Sequence, residues 1–514
     1  MRPGTALRLF VVAWVVVAPL AAVALPAPIA ESRTPGSAVD TLDDRLTVPG
    51  ETSRSSGSAV SDPDREVQVV VQLKQGAAVP DGLPVNRVYT RQGARHAELT
   101  VQLSQVRALW NDPRIAAVRI DRALAGKATR TAAGVGVVGA DVLHSRGIRG
   151  ANVTVGVIDA GFQPTDPEIA ANVRGYRTFG ADARSDATHG TAVASVVVDT
   201  APETELQLAA VGATTTPEEY AAAVEWLEAN GADVIVDAGS YFGHADADQL
   251  SAIAAATAED TLFVTSAGNY AQRHWTGRYD PGSGRPWVAF GEHEGNALNG
   301  GEPLSGRVYA AASWTGDEEY DLYLLRERAG TDEVVARGVG DGRTEHIDTT
   351  VVEGRYYLAV RATNATGTSE IELFASHALA SATPNGSLTA PGTAPGVLTV
   401  GAYDNGSVKA FSSRGLPGHH GVDLVAPDSV ALTGADLEGT SFSAPYVAGT
   451  AALLKSEYTT LSAKQLRTIL TVSARDVSAP GPDVETGYGH IDARSAYLLS
   501  ISHARFAGVN ESTT

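Results

Sequence analysis

Between residues 153 and 264 two kinds of apolar run alternate, and this alternation limits the fold more than any other feature of the chain. Val153-Thr154-Val155-Gly156-Val157-Ile158, Val234-Ile235-Val236 and Leu262-Phe263-Val264 are short, continuous and β-branched or aromatic, as strands buried on both faces are. Between them, residues 192–198 and 221–229 are longer runs of small and apolar residues that suit helices packed closely on a sheet. Strand, helix and strand in succession imply α/β architecture, a parallel sheet with helices on both faces. The rhythm breaks between about 274 and 380. Residues 308–312, 321–325, 333–337, 355–361 and 371–374 are strand-like runs parted by Gly and Asp turns, with no helical period. They predict an all-β sandwich inserted in the α/β domain. The α/β pattern resumes at Gly396-Val397-Leu398-Thr399-Val400-Gly401 and runs to about Ser500.

At the N-terminus, Arg2 and Arg8 precede an apolar run over 9–25, closed by Ala22-Val23-Ala24. This is the pattern of a secretory signal peptide over 1–24; a membrane anchor is the alternative, from a run at the short end for spanning a bilayer. Residues 25–64, rich in Ser, Thr, Gly, Pro and Asp, read as a linker. A small α+β module follows at 65–125, with strand-like runs at 67–73 and 115–120 and an amphipathic stretch at 97–110. It ends in the polar stretch 122–130, where cleavage would cost little structure. The expected division is then 130–272 and 381–500 for the α/β domain, 274–380 for the sandwich and 501–514 for a short polar tail. No later segment has the length and apolarity of a transmembrane helix, so a soluble, exported mature form is expected.

The 514 residues include no Cys, which excludes disulfides, thiolate metal sites and a cysteine nucleophile; covalent catalysis would need Ser, Thr or a carboxylate. The formal charge of −20 argues against nucleic acid as a partner. The lysines are only Lys74, Lys127, Lys409, Lys455 and Lys464, an acidic, lysine-poor composition that suits either high salt or a GC-rich genome.

Three segments each place one reactive side chain among small residues. Asp159, in Val157-Ile158-Asp159-Ala160-Gly161, follows a buried strand, where open α/β sheets put their sites; alone, it also reads as a helix cap or turn residue. His189, in Thr188-His189-Gly190-Thr191, starts a small-residue helix, and alone a His there is more often structural. Ser441 lies in Gly439-Thr440-Ser441-Phe442-Ser443-Ala444-Pro445-Tyr446-Val447-Ala448-Gly449, a turn leading into an apolar helix, where a Ser cap is the ordinary reading and Ser443 could also serve. Their joint occurrence in one α/β domain, in the order Asp, His, Ser, favours chemistry.

On these segments the chain resembles the subtilisin-like serine proteases over about 130–272 and 380–500, with Gly487-Tyr488-Gly489-His490-Ile491-Asp492-Ala493 similar to the family's closing segment. The resemblance implies a secreted serine endopeptidase acting on proteins or peptides. Ser441 would be the nucleophile, His189 the general base and Asp159 its orienting partner. Asn269, in Ser266-Ala267-Gly268-Asn269, would supply the oxyanion-hole amide. The module at 65–125 resembles the family's inhibitory propeptide, which would make the protein a self-processing zymogen and the propeptide its own partner; an unrelated adaptor is the alternative. The insertion resembles the β-sandwich domains appended to secreted peptidases.

This chain departs from the family at Ala160, where a Ser or Thr is usual, at Ala192, where a His is common, and at Asp237-Ala238-Gly239-Ser240, where a Ser-Leu-Gly substrate-binding strand usually stands. The resemblance implies that catalysis requires no cofactor. Structural calcium belongs to the family, but no contiguous alternating acidic loop names its ligands here. Two rival readings use the same residues: a binding protein whose inserted sandwich has replaced proteolysis, and an esterase or peptide ligase running on the same acyl-enzyme.

Overall fold

A computed structural model describes residues 66–511, except 81, 92–93, 103–104, 106–107, 110–111, 121–133, 181–186, 213–214, 243–246, 341 and 433–434. The expected signal peptide and linker, the cleavage stretch up to 133 and the last three residues lie outside the described residues.

In the N-terminal module, β1 (Glu66–Leu73), β2 (Val85–Arg91), β3 (Ala94–Gln102) and β4 (Ile115–Ile120) form an antiparallel sheet in the order β2-β3-β1-β4. The amphipathic stretch expected at 97–110 opens as strand, not helix. Ala97, Leu99 and Val101 are buried and the residues between them are polar, a period of two that places one face against the core.

The main sheet is built from β5 (Thr154–Asp159), β6 (Val173–Thr178), β7 (Glu205–Ala210), β8 (Val234–Asp237) and β9 (Leu262–Ser266). Nine strands of the insertion follow: β10 (His274–Gly277), β11 (Asn296–Ala297), β12 (Leu304–Trp314), β13 (Glu319–Arg326), β14 (Glu333–Arg337), β15 (Val339–Gly340), β16 (Thr344–Gly354), β17 (Tyr356–Asn364) and β18 (Ile371–Ala375). The chain then returns to the main sheet through β19 (Leu398–Asp404), β20 (Ser407–Val408) and β21 (Leu424–Ala426), completing the order β20-β19-β9-β8-β5-β7-β6 with β21 beside β19. All the pairings from β19 to β6 are parallel. β5, β7, β8, β9 and most of β19 are buried, because helices such as Ala187–Thr200, Pro217–Ala229, Ala247–Thr257 and Thr440–Glu457 cover the sheet, whereas β6 at its edge is only half buried. β4 of the N-terminal module lies alongside β6, the edge of this sheet.

The insertion is a sandwich of two sheets, β10-β18-β12-β16-β15 and β11-β17-β13-β14. Val308, Leu322, Leu324, Leu358, Val360 and Leu373 from both sheets meet in one core, as face-to-face packing requires. After β21, a ribbon of β22 (Ser429–Leu432) and β23 (Ala435–Glu438) leads into the Thr440–Glu457 helix. The final helix, Ala493–Glu511, carries on through most of the stretch expected to be a separate tail from 501. Among the described residues no helix is long and apolar enough to cross a membrane.

Candidate active site

The carboxyl ends of three neighbouring strands supply one wall of the site: Asp159 ends β5, Ala238 follows β8, and Asn269 lies three residues past β9. β5 is where connections diverge, with β7 on one side and β8 on the other, the kind of crevice in which open parallel sheets hold their ligands. The other wall is the first turn of two helices. His189 is in the first turn of Ala187–Thr200 and Ser441 in the first turn of Thr440–Glu457, and the His189 and Phe442 rings are 5.3 Å apart.

Asp159, His189 and Ser441 are all buried. His189 Nδ1 lies 2.9 Å from one Asp159 carboxylate oxygen and 3.2 Å from the other. Donation from Nδ1 selects the tautomer in which Nε2 carries the lone pair and can act as a base. The Ala160 backbone N–H donates to Asp159 Oδ1 at 2.7 Å, so the main chain holds the carboxylate where the sequence lacks the hydroxyl usual at 160. Gly190 makes this packing feasible: a Cβ there would run into the Gly161 carbonyl oxygen and come within 2.8 Å of Asp159 Oδ1.

Ser441 Oγ donates to the Ala238 carbonyl at 3.2 Å, which ties the helix start to the end of β8. Asn269 is fixed from the other side. Its Oδ1 accepts from the Thr440 N–H at 3.0 Å and from Thr440 Oγ1 at 3.1 Å. The amide NH2 must then face away from Thr440, and a Cβ on Gly439 would lie 3.2 Å from Nδ2, so this donor overlooks the turn that presents Ser441. Thr440 Oγ1 also receives the Gly268 N–H at 3.1 Å. Thr440 thus orients the Asn269 amide, a role its place in Gly-Thr-Ser does not reveal.

Sequence reasoning also missed a second buried carboxylate. Asp237 accepts from Tyr220 OH at 2.6 Å, the Gly239 N–H at 2.8 Å and Tyr241 OH at 3.5 Å. Burial pushes its carboxyl up to about 7, against the hydrogen bonds from Tyr220 and Gly239 that favour its charged form, and the Asp159 charge adds to the rise. The sequence marked 237–240 as a departure from the family. It could not show that Asp237 lies beneath the crevice, held by two tyrosines from different elements. Among the described residues no three His, Asp or Glu side chains converge as a metal site.

A model of the subtilase family matches residues 150–370 and 358–489. The chain belongs to the subtilase family. Subtilisin E of Bacillus subtilis is 27% identical over 208 residues, which are 36% of this chain and 54% of subtilisin E. The autotransporter lipoprotein NalP of Neisseria meningitidis serogroup B is 50% identical over 60 residues, 12% of this subtilase and 6% of NalP. The subtilase therefore spans about half the length of the subtilisin it matches and a small part of NalP. The structure of the Clostridium perfringens CspB protease resembles it with a TM-score of 0.50 at 16% identity, covering 71% of this chain and 96% of that one, a likeness of fold.

Proposed function

We propose that this subtilase is a serine endopeptidase that hydrolyses peptide bonds of protein or peptide substrates through an acyl-enzyme. The observation that carries the reading is the buried Asp159–His189 pair at 2.9 Å, its imidazole 5.3 Å from the ring of Phe442, the residue after Ser441, with the Ser441 hydroxyl on the Ala238 carbonyl and Asn269 held through Thr440. His189 Nε2 takes the Ser441 proton as Oγ attacks the carbonyl carbon, and the imidazolium formed is stabilised by Asp159. The Asn269 amide and the Ser441 backbone N–H donate to the tetrahedral oxyanion. His189 then returns its proton to the leaving amine, and water, deprotonated by the same base, releases the acyl group.

The test is fluorophosphonate labelling and hydrolysis of a protein substrate by wild type, Ser441→Ala and Asn269→Ala, in low and molar salt. Carrying over the magnitudes known for subtilisin, Ser441→Ala loses about 10⁶ in turnover and Asn269→Ala about 10²–10³. Folded wild type that neither labels nor cleaves in either salt condition defeats the reading.

The finer reading is a secreted zymogen. Residues 1–24 direct export, and the module at 65–125 is a propeptide removed by the enzyme's own site within 122–135. Its support is the separate antiparallel sheet β2-β3-β1-β4 placed against the catalytic sheet's edge. Intact mass and N-terminal sequencing check it: wild type loses the module and Ser441→Ala stays full length. A Ser441→Ala chain that matures in a protease-free host rules out self-processing.

A further inference from the structure

The inserted sandwich does not hang from the catalytic domain by a free joint. β10 begins at His274, five residues after Asn269, and the outgoing chain pairs with the incoming one: the Ala375 N–H donates to the Arg273 carbonyl at 2.9 Å and the Leu379 N–H to the Gln272 carbonyl at 2.8 Å. Successive residues of β12 and β18 divide between two cores. Val308, Ala310, Ala312, Ile371, Leu373 and Ala375 face the sandwich interior. Tyr309, Ala311 and Phe374, on the opposite face, join Phe242 and Tyr270 of the catalytic domain in a small core of their own.

The rings of that core are tightly set. Phe242 lies 4.7 Å from Tyr270, 4.9 Å from Phe374 and 5.6 Å from Tyr309, and Tyr270 lies 5.6 Å from Phe374. All four are at most 3% exposed. What distinguishes the cluster is what its two catalytic-domain rings are attached to. Tyr270 is bonded to Asn269, and Phe242 follows the 238–240 segment whose first carbonyl receives Ser441 Oγ. Each ring is anchored on the catalytic side by backbone contacts nearby, the Tyr270 N–H to Ser413 Oγ at 3.0 Å and the Tyr241 N–H to the Ala390 carbonyl at 3.0 Å. The sandwich closes the other side. It needs none of these rings for its own core, which lies on its opposite face.

Resting on the serine peptidase reading, we propose that the sandwich is part of the catalytic apparatus, with Tyr309 and Phe374 acting as positioning residues. They hold Tyr270 and Phe242, and through them the Asn269 amide and the Ala238–Ser240 segment, where transition-state binding needs them. Truncating either ring opens space behind both segments. A donor displaced by a fraction of an ångström loses more in the transition state than in the Michaelis complex, so kcat falls and KM hardly moves.

The experiment uses the full chain and compares Phe374→Ala and Tyr309→Ala with Leu322→Ala, a truncation in the sandwich core away from the cluster. Active-site concentration is set by fluorophosphonate titration; kcat, KM and inhibition by a peptide boronate, whose tetrahedral adduct uses the oxyanion donors, are then measured. Phe374→Ala and Tyr309→Ala are expected to lower kcat about 10- to 100-fold with KM within about threefold, and to weaken the boronate in proportion to kcat/KM. Leu322→Ala loses thermal stability yet keeps kcat within about twofold. If Phe374→Ala does not fold, Phe374→Leu, which retains most of the volume, is read instead, with a loss of about three- to tenfold expected. The proposal is overturned if the folded cluster variants keep wild-type kcat and boronate affinity, or if Leu322→Ala loses as much kcat as they do. Wild type that fails to titrate at all removes the peptidase reading, and this proposal with it.

Discussion

Replacing Asp237 by Asn should change how stability depends on pH more than it changes stability itself. The Asp237 carboxyl is fully buried and raised from the ordinary 3.8 to about 7. Between those two values the unfolded chain has released a proton that the folded chain still holds. Stability contributed by this group is therefore complete below about pH 4 and is lost as pH rises through about 7. The gap corresponds to about 4 kcal/mol when fully developed. Asn cannot titrate, but it offers one oxygen where Tyr220, Gly239 and Tyr241 now share the two of the carboxyl group, at a cost of about 1–3 kcal/mol. The variant should thus be the less stable protein near pH 4.5 and gain on the parent by about 3 kcal/mol toward pH 8. Urea unfolding at intervals from pH 4.5 to 8.5 measures this, with both proteins carrying Ser441→Ala so that self-digestion does not intervene. Titrating groups remote from Asp237 cancel in the difference. A stability difference that stays flat across the range would show that Asp237 ionises as an ordinary carboxylate, and the account of its burial would be wrong.

Gly190→Ala should cost at least tenfold in kcat, because its methyl group must displace the Gly161 carbonyl or Asp159 and so spoil the 2.9 Å contact to His189; steady-state kinetics on folded protein checks this. Thr440→Val, which removes the hydroxyl that steadies Asn269 and Gly268, should lower kcat by about tenfold with little change in KM. In the sandwich, the Glu318 carboxylate accepts from the Thr366 N–H at 2.7 Å, Thr366 Oγ1 at 2.6 Å, the Ser369 N–H at 3.1 Å and Tyr320 OH at 2.6 Å. Although burial raises its pKa, these donors outweigh that and hold the carboxyl far below the usual range, so its stabilisation is present at neutral pH and fades in strong acid. Glu318→Gln should cost about 3 kcal/mol at pH 7, read by thermal unfolding, and less as pH falls below 4.

The alternating runs at 153–158, 234–236 and 262–264 sufficed to read a parallel sheet, because strands buried on both faces have little freedom in composition. The sandwich was legible from its turns, yet β10 and β16 were not. His274–Gly277 is too short for a period, and β16 lies largely at a surface where polar residues interrupt its apolar ones. Ala94–Gln102 failed for a different reason: its alternation is regular but rests on Ala97, a residue equally at home in a helix. Around the site, the segments carrying Asp159, His189, Asn269 and Ser441 stand out because small residues crowd round a reactive one. Thr440 and the rings of Phe242, Tyr270, Tyr309 and Phe374 do not, since each acts through neighbours brought from distant parts of the chain, while the partners of Asp237 are near in sequence but its complete burial is set by the packed sheet and helix around it.

The paired ends of the insertion also bear on how the chain reaches its native state. β19 must dock in parallel on β9, with Leu398 beside Val264, and the whole insertion separates them in sequence. Closing so long a flexible loop would be slow, because non-local pairing must meet the loop entropy before any contact rewards it. The sandwich has its own core and is made of antiparallel neighbours, so it can form early and bring Gln272 and Leu379 together as it does. What remains for β19 to search is then only the short connection from 379 to 398. An insertion that lengthens the chain by about a hundred residues shortens, in effect, the loop whose closure completes the catalytic sheet.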